Sequence, residues 1–210
     1  MTSTVMLAAV RTILAESTAG FFTDAEIYTA LADGQTEVIK YLIDIYRAKR
    51  RIDSKTPLFY ELESILNDDT GTTQSVAVPS GFLELISATF DHNGTGGENP
   101  CNIVNMNVLP FYENNTYLSA TDVSPRVYIK SISDVVTIVF LPTLSGTPAY
   151  TIHYLKSPTD IASGQNAVLP VTTHNAIVYF TVSRMLSKEQ RLQEAQIYLQ
   201  NFMNELKGMA

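Results

Sequence analysis

The sequence is poor in the residues that carry most site chemistry. It has no tryptophan, one cysteine and three histidines in 210 residues. The single cysteine, Cys101, excludes an internal disulfide framework and is typical of a protein assembled in a reducing cytoplasm. His92, His153 and His174 have neither a cysteine nor another histidine at the spacing of a zinc motif. We therefore expect no metal site and no cofactor.

Charge is also scarce. Charged residues make up 17% of the chain, whereas a soluble domain usually carries about 25%. The net charge of −7, from 14 basic and 21 acidic residues, excludes a chain-wide electrostatic surface for nucleic acid. Low charge suits a chain that buries surface against neighbouring subunits, and it suits equally a monomer with a neutral polar surface.

Long apolar runs are absent too. No run approaches the ~18 residues that span a bilayer, so we expect no membrane contact. The first residues, MTSTVMLAAVRTILAES, have helical spacing and lack a convincing cleavage site. This pattern favours a helix of the mature protein over a signal peptide.

Motifs for catalysis are missing. There is no Gly-x-Ser-x-Gly elbow, and Thr95-Gly96-Gly97 lacks the Lys-Ser/Thr pair of a phosphate loop. His153 is typical of a half-exposed strand residue, and Cys101 of a buried or half-buried apolar one. The carboxylates at 61–63 and 68–69 have no further ligands nearby and indicate solvated charge. We expect no catalytic residue, and a protein that is not an enzyme.

The spacing of apolar residues changes from helical to strand-like and back. A first helix is predicted to end near Glu16, with an apolar face of Val5, Ala8, Ala9, Thr12 and Ile13. A second begins at a capping box, Thr23 to Glu26, and continues to about Arg51. Gly34 is a predicted weak point that bends or interrupts it. Its apolar stripe is Ile27, Leu31, Val38, Leu42 and Ile45.

The middle of the chain has the composition of a β domain, with short Val-, Ile-, Tyr- and Thr-rich runs between Gly, Pro, Asn and Asp clusters. Residues 91–100 are predicted to form a long flexible connection, 132–134 a tight hairpin, and 59–66 one or two helical turns. The predicted strands are 75–78, 83–90, 102–108, 126–130, 135–140 and 149–155. Six short strands indicate a small sandwich or barrel.

The last segment is helical again. Leu169-Pro170 is its predicted start, and the polar residues 187–191 break it into two helices. The apolar stripe of the second is Leu192, Ala195, Leu199, Phe202 and Leu206. We predict an α+β fold, in which residues 1–56 and 170–210 form a discontinuous helical bundle. Residues 57–169 form an inserted antiparallel β sandwich or barrel-like domain.

One charge cluster stands out, at the end of the second helix: Arg47, Lys49, Arg50 and Arg51. Cations at a helix C-terminus complement the helix dipole, and this alone accounts for the cluster. The functional interpretation is that the cluster faces a phosphate backbone or an acidic partner. The two interpretations are compatible.

The layout resembles the head-to-tail adaptor (connector) proteins of tailed bacteriophages, including the tubular tail adaptors of short-tailed phages. The resemblance covers most of the chain. It rests on DAEIYTALADGQTEV from Asp24, the Phe140-Leu-Pro turn, and YTIHYLKSP from Tyr150. It rests most on Leu169-Pro170 leading to HNAIVYF from His174 and AQIYLQNF from Ala195.

This resemblance implies a non-enzymatic structural virion protein at the head-to-tail junction, assembled in the host cytoplasm. It implies a helical bundle that packs side by side into a ring of about twelve copies with heterologous contacts. DNA would pass through the channel of the ring. The partners implied are the portal protein and tail or nozzle proteins, and Arg47, Lys49, Arg50 and Arg51 are the candidate portal or DNA contact.

Two other functions stay open. A carbohydrate- or ligand-binding β module on a helical stalk is suggested by eleven tyrosines, although the lack of tryptophan disfavours a sugar platform. The second open function is that of another ring component, a tail-tube or stopper protein. A monomer that shows ligand-dependent melting would indicate the binding module.

Overall fold

The protein forms two compact units in a computed structural model. The structure describes residues 1–16, 20–49, 62–68, 75–94, 97–110, 119–132, 135–143 and 149–209, without the side chains of 45–49, 67–68 and 132. Met1–Leu62 and Ser157–Ala210 form the helical unit, and Glu63–Lys156 form the β unit. The chain thus passes between the two units at 62/63 and 156/157. The boundaries predicted from the sequence pattern are 56/57 and 169/170. Helices at both ends and strands in the middle confirm the α+β class.

The helical unit is organised around its third helix. The described helices are α1 (Ser3–Leu14), α2 (Asp24–Lys49), α3 (His174–Lys188) and α4 (Leu192–Met209). α1, α2 and α4 each pack against α3. One helix from the C-terminal part of the chain therefore provides the shared contact for both halves of the bundle.

Helix α1 begins where the Thr2 hydroxyl accepts a hydrogen bond from the Val5 N–H at 3.3 Å. The predicted apolar face of this helix is wrong, because Val5 and Ala8 are exposed. Met6, Val10 and Leu14 form the buried face instead. Since α1 is apolar on most of its circumference, spacing alone does not select the stripe that meets a partner.

Helix α2 begins at the predicted capping box, which the structure confirms. The Thr23 N–H donates to the Glu26 carboxylate at 3.0 Å, and the Glu26 N–H donates to the Thr23 hydroxyl at 3.3 Å. The predicted stripe is confirmed where its side chains are described: Ile27, Leu31, Val38 and Leu42 are buried. The side chain of Ile45 lies outside the described part.

Gly34 does not interrupt α2, so the predicted interruption was wrong. The helix is continuous from Asp24 to Lys49, and Gly34 faces α3. A Cβ atom at Gly34 would lie 3.1 Å from the Ile177 carbonyl oxygen and 3.2 Å from Cδ1 of Phe180. The glycine therefore permits a close approach of two helix backbones.

The C-terminal helices confirm the predicted break. A 3-10 turn, Val171–Thr173, leads into α3, and Gln190 has a φ of 62° between α3 and α4. The stripe predicted for α4 is only partly right. Ala195, Phe202 and Leu206 are buried, whereas Leu192 and Leu199 are exposed.

The β unit is a sandwich of two four-stranded sheets. The sheet orders are β1-β8-β3-β4 and β2-β7-β6-β5, antiparallel except for the β5–β6 pair. Residues from both sheets share one core, in which the rings of Phe90 and Phe140 stack at 4.8 Å. The strands are β1 (Glu63–Asp68), β2 (Ser75–Ala77), β3 (Phe82–Asp91), β4 (Asn99–Pro100), β5 (Asn102–Ile103), β6 (Arg126–Ile132), β7 (Val135–Leu141) and β8 (Ala149–Lys156).

Three local predictions in this unit were wrong in part. The predicted helical turn includes residues 63–66, which instead begin β1, and its first residues, 59–61, lie outside the described part. The predicted strand 102–108 is strand only in β5, and a 3-10 turn, Met106–Val108, follows. The connection 91–100 ends in β4, which pairs with β3. In that connection the Asp91 carboxylate accepts hydrogen bonds from the N–H groups of Gly94 at 2.9 Å and Gly97 at 3.1 Å.

The β6–β7 hairpin is confirmed, because Ile132 pairs with Val135. The ends of the β unit are also neighbours. β1 and β8 are adjacent antiparallel strands, and Glu63 pairs with Leu155. The chain therefore enters and leaves this unit at the same place.

Candidate interaction surfaces

The predicted basic cluster lies at the C-terminal end of α2. We call Arg47, Lys49, Arg50 and Arg51 the basic run. Arg47 and Lys49 belong to the last turn of α2, but their side chains are outside the described part, as are Arg50 and Arg51 entirely. α2 has 26 residues, and at 1.5 Å per residue it is about 39 Å long. The backbone thus separates the basic run widely from the start of the helix.

The part of α2 that precedes Ile45 has the opposite charge. Residues 24–44 contain five carboxylates and one lysine, Lys40. Asp24 and Glu26 lie in the first turn, where carboxylates favour the positive end of the helix dipole. The helix as a whole is therefore polarised, with an acidic body and a basic end.

A groove of about 640 Å³ follows the acidic part of α2. We call it the acidic groove. Its second wall is the turn formed by residues 160–163, and three of its lining residues are aspartates: Asp24, Asp33 and Asp160. Between the carboxylates the lining is small or apolar, with Tyr28, Ala32 and Ile161 among others.

The buried side chain of Gln35 fixes the second wall against α2. Its amide nitrogen donates to the Thr159 carbonyl at 3.0 Å, and its amide oxygen accepts from the Val168 N–H at 2.8 Å. Between these two attachments the chain turns back on itself, with reciprocal backbone hydrogen bonds between Ala162 and Gln165. The groove is therefore part of the folded unit and not a gap beside a loose loop.

Two of the three aspartates are paired with arginines. Arg11 donates from Nε to Asp24 at 3.1 Å, and its buried guanidinium also donates to the Phe22 carbonyl at 3.1 Å. Arg184 forms an ion pair with Asp33. Asp160 is exposed and makes no ion pair among the described residues. It is therefore the carboxylate that is available to a cation from outside.

Exposed apolar side chains lie on both units. On α4 they are Leu192, Ile197 and Leu199. On the β unit, Val123 is 81% exposed, in a turn whose Ser124 hydroxyl is bound by the Asn102 side-chain amide at 3.2 Å. Ile103, next to Asn102, is exposed as well. Groups of this kind are typical of surfaces that meet other proteins.

Cys101, His92 and His153 belong to the β unit. Burial, with a smaller contribution from the charge of Glu98, raises the pKa of the Cys101 thiol to about 12, so it stays protonated at neutral pH. His153 and His92 each lie beside one carboxylate, Glu63 at 3.3 Å and Asp122 at 3.2 Å. Among the described residues no group of three His, Cys, Asp or Glu is arranged to hold a metal ion.

The acidic groove is the surface that sequence reasoning missed. Its two walls come from residues 24–36 and 160–163, which are far apart in the chain. Asp160 lies in a stretch without helical or strand period, so no pattern pointed to it.

A family model described as SU10 adaptor protein matches residues 1–210.

The chain belongs to the SU10 adaptor protein family. This confirms the resemblance to phage adaptors and makes the protein a structural phage adaptor, a virion component. A search of curated proteins finds no match. Within the described part of this SU10 adaptor, no helix has the length and apolar character to cross a membrane.

Proposed function

We propose that this SU10 adaptor is a non-enzymatic head-to-tail adaptor that forms a ring beneath the portal, joins the capsid to the tail and lets DNA pass through its channel. The observation that carries the proposal is the family match over the full chain. The protein would be assembled in the host cytoplasm and would reside at the head-to-tail junction of the virion. A ring of about twelve copies would be closed by heterologous contacts, in which one surface of a subunit meets a different surface of the next.

The helical unit supports this ring, because it offers different apolar surfaces. On α1, Val5 is 51% exposed, and on α4, Leu192 is 61% exposed. Both helices pack against α3. A heterologous contact needs two such surfaces, whereas an isologous dimer needs one that is complementary to itself. The low charge of the chain, 17% of residues, agrees with permanent burial of surface.

The β unit would bind tail or nozzle proteins. It has its own core and displays the exposed apolar residues Val123, Ile103 and Met106. An exposed apolar group of this kind is costly on a free subunit and is typical of a surface that a partner covers.

The basic run is the candidate contact with the portal or with DNA. Four cations in five residues, in a chain of net charge −7, concentrate positive charge at one place. Arginine and lysine bind phosphate oxygens, and arginine binds carboxylates in a bidentate geometry. A DNA contact would weaken steeply with salt, and a protein contact with buried pairs would weaken less.

Light scattering on purified protein at increasing concentration tests the ring, followed by the same series with the portal ring of the same phage. We expect a ring-sized species in at least one series. In size-exclusion chromatography of the mixture, the protein should elute together with the portal. A portal from an unrelated phage is the control and should not bind. A monomer in both series would contradict the proposal, and ligand-dependent melting of that monomer would indicate a binding module. A ring that binds only tail components would indicate a tail-tube or stopper protein.

A further inference from the structure

Helix α4 has an exposed apolar face beside its buried one. We call this exposed face the outer face of α4, and its residues recur at steps of three or four: Leu192, Gln196, Leu199, Met203 and Lys207. This spacing places all five side chains on one side of the helix. Met203 is half-buried and the other four are exposed, with Leu192 at 61% and Leu199 at 44%. The helix therefore carries a second set of apolar side chains that is open to a partner.

The outer face of α4 is cationic at one end and otherwise uncharged. Lys207 is exposed and makes no ion pair among the described residues. The two carboxylates of this helix are Glu194 and Glu205. At about 100° per residue, both lie on the opposite side of the helix from the outer face. The outer face therefore suits an acidic surface.

The acidic groove matches the outer face of α4 in length and in lining. The α2 residues of the groove extend from Asp24 to Thr36, about 18 Å along the helix axis. On α4, Leu192 to Met203 extend about 16 Å. The volume of about 640 Å³ is that of a site that holds several side chains. The α2 wall also carries small residues, which leave room for the side chains of a second helix: Ala25, Thr29 and Ala32.

We infer that the outer face of α4 in one copy packs into the acidic groove of the next copy. Besides the matching lengths, the argument is charge complementarity between Lys207 and Asp160. Each is exposed and makes no ion pair among the described residues. The two surfaces belong to the helical unit and differ from each other, so the contact is heterologous and propagates around a ring. The inference rests on the proposed ring and names the surfaces that close it.

The exposed side of α1 is the competing partner for α4, and charge disfavours it. Helix α1 contains no carboxylate, so Lys207 would find no partner there. Val5 and Ala8 of α1 also lie on a convex helix surface, whereas the acidic groove is concave. An amphipathic helix is typically bound in a groove, which takes up the side chains of its apolar face.

A carboxylate on the outer face tests the inference with the full chain. Leu199→Asp would place a negative charge against the aspartates of the groove. We expect it to raise the concentration at which half of the protein is in rings by about tenfold or more. Ile197→Asp is the matched control, because Ile197 is 59% exposed on the opposite side of the same helix. The control should assemble like the wild type in light scattering over a concentration series, with the portal present if the wild type requires it.

Charge reversal in trans tests whether the groove is the partner of α4. Asp160→Lys and Lys207→Glu each bring like charges together at every boundary, so each alone should raise the same concentration about threefold or more. In an alternating ring of the two variants, the reversed groove meets the reversed face and the other boundaries keep their wild-type charges. The mixture should therefore recover wild-type assembly. Recovery excludes a contact within one subunit, and circular dichroism on each variant checks the folding.

The possible failures are distinguishable. Wild-type-like rings from Leu199→Asp, or an equal loss from Ile197→Asp, would overturn the inference and leave the proposed ring intact. Charge variants that assemble like the wild type, or that do not recover on mixing, would also overturn it. A wild type that forms no ring, with or without the portal, would overturn both the inference and the proposed function.

Discussion

At the scale of single residues, His174 is a buried titratable side chain of the helical unit. It is 3% exposed at the start of α3. Its Nε2 lies 2.9 Å from the Leu169 carbonyl oxygen, and its Nδ1 lies 2.6 Å from the amino group of Met1. An N–H on Nε2 that donates to the carbonyl leaves Nδ1 as an acceptor for the amino group. The neutral imidazole thus joins the start of the chain to the entry of α3.

The pKa of His174 is lowered from its ordinary value of 6.5, mainly by burial; the hydrogen bond to Leu169 opposes the shift, and the charge of the Met1 amino group adds to it. Because the folded state takes up its proton at lower pH than the unfolded state, the stabilisation is present above pH 6.5 and is lost as the pH falls toward the lowered pKa. We expect the melting temperature to fall over this window. His174→Asn should be less stable overall and should have a flatter pH profile there.

His153→Asn is the matched control for this measurement. His153 is half-buried beside Glu63 in the β unit, so its removal should leave the pH slope of the helical unit unchanged. Thermal unfolding followed by circular dichroism at a series of pH values gives the slopes. An unchanged slope in the His174 variant would contradict the assignment.

Single-residue features were predictable where the partners are close in sequence. The Thr23–Glu26 capping box was found correctly, because both of its hydrogen bonds join residues three positions apart. The partners of His174 were not predictable. One is 173 positions away in the chain, and only the folded helical unit brings them together.

At the scale of elements, the contact between α2 and α3 depends on the small size of Gly34. Replacing it with valine would place methyl groups against the Ile177 backbone and the Phe180 ring, where even a Cβ atom would be at 3.1 to 3.3 Å. Overpacking of this kind typically costs about 1–3 kcal/mol. We expect Gly34→Val to lower the free energy of unfolding by that amount in urea denaturation.

Gly208→Ala, in the last turn of α4, is the control for this prediction. A Cβ atom there has nothing within 4 Å, so alanine should be neutral or should stabilise by up to about 1 kcal/mol. If the valine at position 34 were also neutral, α2 and α3 would not be in the close contact described.

Element types were predictable, and element faces were less so. The buried stripe of α2 could be predicted because its polar residues leave only one apolar face. Helix α1 has more than one apolar face, and its packing against α3 decides that Met6, Val10 and Leu14 are the buried residues. The segment of strand β1 was predicted to be helical in part. It is a strand because it pairs with β8, which lies at the other end of the β unit in the sequence. Such non-local pairing leaves a weak signal in a segment of six residues.

At the scale of the whole molecule, the first and last strands of the β unit are paired neighbours. We therefore expect the β unit to fold when it is separated from the rest of the chain. Glu63 pairs with Leu155, and the unit has its own core. We expect residues 63–156, expressed as a fragment, to unfold cooperatively with a β-rich circular dichroism spectrum. A fragment that shows no cooperative transition would contradict the independence of the unit.

The complementary deletion tests the same point from the other side. Paired Cα atoms of adjacent antiparallel strands lie about 5 Å apart, so a short Gly-Ser linker from Leu62 to Ser157 can replace the β unit. The shortened chain should keep the helical signal of the wild type per helical residue. Loss of that signal would show that the helical unit requires the β unit.

The order of helices, strands and helices could be predicted from the changes in periodicity, but the candidate surfaces could not. The basic run is contiguous in sequence and was visible there. The acidic groove needs α2 and the turn around Asp160, which the buried Gln35 joins through hydrogen bonds to Thr159 and Val168. A glutamine in an apolar stripe gives no sign of which distant segment it binds.

The neighbouring entry and exit of the β unit have a mechanical consequence. A partner that pulled on this unit would load two polypeptide connections in parallel, at 62/63 and 156/157, instead of one. The force would be divided between the two connections. Because β1 and β8 are adjacent strands, it would act on the sheet at this pair of strands. Rupture of either connection alone would leave the unit tethered to its subunit.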